Sequence, residues 1–475
     1  MSQRISDRDG IIGGRDAAVL ATILTSYVMI VLDISVVITG LPLLAAELDF
    51  TEAGLSWVQS LYTLTFGGFL LIAARAGDLF GTRRMFVVGL AVFTAASLVI
   101  GLAPTAGSLL AARAVQGIGS AILAPASLAL LQANFAPGPK RTRAVAYYGA
   151  AAGIAASIGL VAGGLLADFV SWRAGFLINL PIGIALIWAA KRLIAETPAR
   201  RGGPLDLAGA LSSTLGMGAL VTGAIRAAET GWTDPVTLGA LGAGAAVLAL
   251  FIRIERRSAR PIMPPRLFAD AERATAYAGR ALFLGGMISF FFFLTLYLQE
   301  GLGFSPSLTG LAFLPAMAVN FGAALLVPRL TERFGNLPLM TSGIALAALG
   351  MAWLSRAAPG EAFWLSVGAP SVLIGLGQGF ALSPLTSAGL ARVAAEDAGA
   401  AAGLVNVAHQ LGSSLGLGLT TAIAATGAAG LSGTALMQHR TQFGLMAATL
   451  MLAVALVLAL RLTLRGDLAM KGEMR

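Results

Sequence analysis

In the stretch VMIVLDISVVI (28–38) ten apolar or small residues surround one carboxylate, Asp33, and no neighbour in sequence can pair with it. A second ionisable group, Arg113, stands in AARAVQGIGSA (111–121) among similarly apolar neighbours. An unpaired carboxylate in a dry medium is costly when ionised and cheap when protonated. It therefore suits a group that holds a proton at one moment and faces a cation at another. Other chemistries lack their residues. There is no cysteine, which excludes disulfides, thiolate catalysis and cysteine-ligated metals. HExxH does not occur and no soluble domain is found, so no metal, no cofactor and no enzymatic activity are expected. A P-loop needs Gly-Lys-Ser/Thr, but Lys140, Lys191 and Lys471 follow Pro139, Ala190 and Met470. Unless a partner supplies the ATPase, any transport by this chain must draw on an ion gradient, which supplies about 2.3 kcal/mol per charge per 100 mV, or be passive.

The elements that carry Asp33 and Arg113 follow from composition. The chain is 57% hydrophobic and 12% charged, against about 25% charged in soluble domains. Apolar runs long enough to cross about 30 Å of hydrocarbon recur along it. They fall near 17–41, 55–74, 85–103, 108–132, 144–166, 175–190, 205–226, 235–252, 276–298, 307–328, 338–356, 363–387, 399–424 and 442–460. The predicted fold class is an all-α integral membrane protein with 14 transmembrane helices. The first run follows a charged start and is too long for a signal-peptide core, so it reads as an uncleaved span. Basic residues divide about six to one between alternate loops, with Arg173, Arg226, Arg356 and Arg440 in the minority. The net charge of +9 is therefore read as topology, with both termini cytoplasmic, and no nucleic-acid partner is expected.

Internal repetition divides the chain. ARAGDLFGTRR (74–84) aligns with PRLTERFGN (328–336), placing Arg75, Asp78, Phe80 and Gly81 on Arg329, Glu332, Phe334 and Gly335. GIGSA (117–121) aligns with GQGFA (377–381) at a similar offset. Two six-helix halves, 1–190 and 276–475, thus flank a linker with two additional helices over 191–275. Parallel halves of this kind are a transporter signature, with a site between them.

Five motifs come in a telling order: LDISVVITGLP (32–42), GDLFGTRR (77–84), RAVQGIGSA (113–121), GIAASIGLVAGG (153–164) and WRAGFLINLPIG (172–183). In this order they resemble the major facilitator superfamily, and look most like its 14-helix drug–proton antiporter branch. The resemblance implies proton-coupled efflux of amphipathic, cationic drugs or of a secreted natural product. A specific metabolite exporter or importer of the same superfamily is the alternative. It also implies a chain working as a monomer in the cytoplasmic membrane. GDLFGTRR is similar to a latch on the cytoplasmic gate, with Gly77 and Gly81 free to take unusual dihedrals. Asp78 would cap or pair with a helix end, and Arg83 and Arg84 would sit in water beside lipid phosphates. Gly159, Gly163 and Gly164 would form one close-packing face, although Leu160 stands where the family usually has proline.

Further polar residues fall within spans. Gln59, Tyr62, Gln116, Asn320, Gln378, Asn406 and His409 are candidates for cavity lining, His409 also for packing. Arg280 is expected to snorkel to the interface. Phe290 to Phe293, with Tyr297, could form an aromatic wall or a lipid-facing stripe. At about 1.5 Å per residue, Asp33 lies roughly 12 Å and Arg113 roughly 8 Å from the same membrane face. Equal depth predicts that they can meet. The alternative for Asp33 is a packing role, hydrogen-bonded to Gln59 or Tyr62.

Overall fold

The computed structural model describes residues 14–135, 138–196, 206–258, 261–358, 360–394 and 397–473. The start of the chain and parts of both linkers (197–205 and 259–260) lie outside the described residues. Fourteen long helices are described: α1 (Arg15–Leu48), α2 (Glu52–Phe80), α3 (Thr82–Gly101), α4 (Ala106–Asn134), α5 (Pro139–Phe169), α6 (Ala174–Leu193) and α7 (Leu207–Thr230). They continue as α8 (Pro235–Arg257), α9 (Ala271–Gly301), α10 (Pro306–Phe334), α11 (Asn336–Leu354), α12 (Trp364–Gly389), α13 (Ala398–Ala425) and α14 (Gly433–Glu473). Twelve are long and apolar enough to cross a membrane. The other two, α5 and α13, are as long but diluted by Gly and Ser, and α5 keeps an apolar stretch, Ile154–Phe169.

Local chemistry sets the helix ends. Thr51, Thr105, Asp206, Asp234, Asp270 and Ser305 each accept a first-turn backbone N–H at the start of a helix. Such caps stabilise by about 1 kcal/mol each. The turns α2–α3 and α10–α11 are built alike, on Gly81 at φ 96° and Gly335 at φ 86°. Those values lie where a side chain is strained. Gly77, expected in the turn, instead lies inside α2, so a single glycine makes the corner.

We call the side bearing the start of α1 the terminal face and the opposite side the far face. Within the first half, α1 packs on α5, and α4 packs on α2 and α3. Within the second, α9 packs on α13 and α14, and α12 on α10 and α11. The halves meet along two seams, α2 against α13 and α5 against α10. The additional helix α7 lies over the first seam, touching both α2 and α13, and α8 packs outside it. Toward the far face one apolar cluster runs through both halves, joining Leu41, Val58, Leu160 and Trp172 to Phe283, Phe290 and Phe313. Phe290, Phe292 and Phe293 are buried in it, so the aromatic run is core rather than a lipid-facing stripe.

The glycine motif of α5 serves two neighbours, not one face. A Cβ at Gly159 would come within 2.7 Å of Ser35, and one at Gly163 within 2.5 Å of the Val36 carbonyl, both on α1. Gly164 points elsewhere, against the Pro306 carbonyl of α10. The motif therefore joins α5 to its own half and to the other half at once.

Candidate functional site

Asp33 and Arg113 meet inside the first half. Arg113 Nη1 donates to Asp33 Oδ2 at 2.7 Å, and neither side chain has any exposed surface. Five helices build the surroundings. Gln116, one turn after Arg113 on α4, donates from Nε2 to Asp33 Oδ1 at 2.8 Å and to Ser97 Oγ of α3 at 2.8 Å. Asn179 of α6 donates to Asp33 Oδ1 at 2.9 Å. Arg113 Nε donates to the Val58 carbonyl of α2 at 2.9 Å, and Nη1 also to Gln116 Oε1 at 2.6 Å. The guanidinium carbon lies 4.3 Å from the Tyr62 ring centre and 5.6 Å from that of Phe176.

Asp33 thus receives three donors and offers its proton to none. That is the setting of an ionised carboxylate held by charge-assisted bonds. The two aromatic faces exclude water and add cation–π attraction, about 2 kcal/mol where desolvated. Such a pair is poor evidence for stability, because desolvating two charges offsets most of their attraction. A function that needs the charges is the simpler reason to keep them.

The packing alternative for Asp33 named the wrong partners. Tyr62 Oη bonds Ser120 Oγ at 2.7 Å, and both amide atoms of Gln59 are buried without a partner. Sequence reasoning did not single out Asn179, Ser97 or Phe176. Asn179 sits inside the motif WRAGFLINLPIG, and an amide in an apolar span was the available signal. Arg113 is enclosed by its own half in this state rather than facing an open cavity.

A second polar group forms within the second half, on α9, α12 and α13. Arg280 of α9 is 6% exposed. Its Nη1 donates to Thr386 Oγ1 at 2.7 Å, and its Nη2 lies 3.3 Å from His409 Nδ1. The expected snorkelling does not occur, because α9 begins at Ala271 and sets Arg280 about 14 Å inside the helix. Asn406 is exposed and bonds only its own helix, at the Ala402 carbonyl. Asn320 is half-buried on α10, and Gln378 of α12 keeps a buried Oε1 without a partner.

At the terminal face Arg83 remains partly exposed but is also bound. Its Nε meets Glu196 Oε2 at 3.1 Å and its Nη1 donates to the Ile194 carbonyl at 3.0 Å, tying α3 to the end of α6. The Arg84 backbone N–H donates to Glu196 Oε1. Asp78 is on α2, and its side chain lies outside the described residues.

The geometry can be set beside known proteins. The chain is 37% identical over 435 residues to the cephamycin export protein CmcT of Amycolatopsis lactamdurans, covering 90% of this chain and 89% of that one. It is 39% identical over 412 residues to the puromycin resistance protein pur8 of Streptomyces alboniger, covering 86% and 82%. A crystal structure of tetrameric PepTSo2 superposes with a TM-score of 0.66 at 15% identity, over 95% of this chain and 99% of that one, which shows the fold alone. Residues 23–417 match the family model of the Major Facilitator Superfamily. With its fourteen helices and paired halves, this chain belongs to the major facilitator superfamily.

Proposed function

We propose that this protein is a proton-coupled exporter of drug-like natural products across the cell membrane, with both termini in the cytoplasm and the monomer as the working unit. The relatives named for cephamycin export and puromycin resistance support export of such molecules. One observation carries the coupling: the ion pair of Asp33 and Arg113 at 2.7 Å, closed off from solvent in the first half. A proton reaching Asp33 cancels the attraction to Arg113 and turns one acceptor oxygen into a donor. The Gln116 and Asn179 amides then face a neutral acid, and Arg113 is released toward the Tyr62 ring. Five helices converge on this pair, so a single proton alters how they pack.

Asp33→Asn keeps acceptor and shape but cannot titrate. In vesicles with an imposed proton gradient, the variant should still insert, less stable because Arg113 is left unpaired, and lose gradient-driven efflux to the level of protein-free vesicles. If it still concentrates substrate at the wild-type rate, the coupling carboxylate lies elsewhere.

A further inference from the structure

We infer that the buried guanidinium of Arg280 in the second half, with His409 beside it, receives an anionic group of the transported molecule; this rests on the exporter reading. The argument starts from charge. Asp33, which suggested a cationic substrate, is already compensated by Arg113 at 2.7 Å. Arg280 is not compensated. It is 6% exposed, and no carboxylate pairs with it among the described residues. Its partners are the Thr386 hydroxyl, the Leu382 carbonyl at 3.4 Å and the His409 ring, all formally neutral. Its Nε is buried and bonds nothing. A lone cation in a span is costly, so an unpaired one points to a counter-charge that arrives.

The surroundings define what can arrive. A guanidinium only donates, so His409 Nδ1 accepts and the ring proton rests on Nε2, directed away from Arg280. Thr386 spends its own proton on the Leu382 carbonyl. The site therefore offers the unpartnered Nε edge of a planar guanidinium, which is matched to a carboxylate. Nearby, Tyr27 of α1 and Tyr148 of α5 stack at 4.1 Å between centroids, and both are half-buried. Tyr27 precedes Asp33 by six residues on one helix, about 9 Å of rise. An amphipathic ring acid would lay its ring near the tyrosines and its carboxylate on Arg280, within one helical turn or two of the coupling pair.

The test uses purified full-length protein in phosphatidylcholine vesicles without a gradient. Three probes share one ring: 1-naphthylacetate, its methyl ester and 1-naphthylethylamine. Binding is read from tryptophan fluorescence. The carboxylate should bind at least about tenfold more tightly than the ester or the amine, the scale of a charge-assisted bond. Arg280→Gln should erase that preference and Arg280→Lys should keep part of it. The wild-type preference alone decides the matter if the variants fold poorly. No saturable carboxylate binding, an amine bound as tightly, or a preference surviving in Arg280→Gln each overturns the inference. Loss of carboxylate binding in phosphatidylglycerol vesicles would assign the site to a lipid headgroup and overturn the substrate reading. Anion preference without gradient-driven efflux would sink the exporter reading only, and efflux without the preference would sink this one only.

Discussion

At the scale of single residues, Asp33 and Arg113 are legible because charge in hydrocarbon is expensive and rare. Asn179 and Ser97 are not, because neutral amides and hydroxyls occur throughout spans and hydrogen-bond wherever the fold brings them. Only the assembled helices show that the Gln116 and Asn179 amides converge on one carboxylate oxygen. The pair itself makes an energetic prediction. Removing one partner of a buried ion pair costs about 3–5 kcal/mol, because the other charge is stranded. Arg113→Leu should therefore lower thermal stability in detergent strongly. Adding Asp33→Asn should recover most of that loss, since no charge then remains to be stranded. Equal instability of the single and double variants would mean that the two groups are not energetically coupled.

Between elements, the two halves fasten their terminal faces differently. In the first half Arg83 binds the end of α6. The repeat puts Leu337 and Pro338 where Arg83 and Arg84 stand, and Asn336 donates to the Pro384 carbonyl instead, at 3.1 Å. The second half gains another clamp that repetition did not announce. Arg266 forks onto Asp397 at 2.6 and 2.7 Å. Arg392 meets Asp270 at 3.0 Å and Glu272 at 2.7 Å, so the α12–α13 loop is bound to the start of α9. Hydrogen bonds from Arg266 hold the Asp397 carboxyl below its usual range. Burial pushes the Asp270 carboxyl up, but the Arg273 amide and the Arg392 guanidinium outweigh it and hold it below the usual range as well. A carboxyl depressed in the folded state stabilises fully above its ordinary pKa of 3.8, and that support is lost as pH falls through the lower folded value. Thermal midpoints should therefore fall below about pH 4 in wild type. They should fall less steeply in Arg266→Gln with Arg392→Gln, which keeps only the Arg273 contribution and so has less support to lose. Parallel curves for the two proteins would remove the clamp from the account.

For the whole molecule, helix number and the paired turns at Gly81 and Gly335 were readable because hydropathy and glycine spacing are local signals. The seams were not, because contact between distant helices leaves no periodic trace in one sequence. The far-face seam decides how such a molecule could work. There α5 and α10 touch through Gly164 on Pro306 and through Ser307 donating to Asp168, and Gln299 of α9 donates to the Thr39 carbonyl of α1 at 2.8 Å. Small residues let the backbones close, yet few polar bonds hold them, which suits a contact that opens and shuts as the halves rock. The chain carries no cysteine, so a pair placed at Asp168→Cys and Ser307→Cys reports on this contact alone. Their present side chains already touch, so mild oxidation should join them. Joined, the halves cannot part at the far face, and efflux should stop; a thiol reductant should restore it. Ser307→Cys alone should react in intact cells with a membrane-impermeant maleimide, because the proposed topology, with both termini in the cytoplasm, turns the far face outward. If the joined protein pumps at the rate of the reduced one, the seam stays closed during transport and rocking about it is wrong.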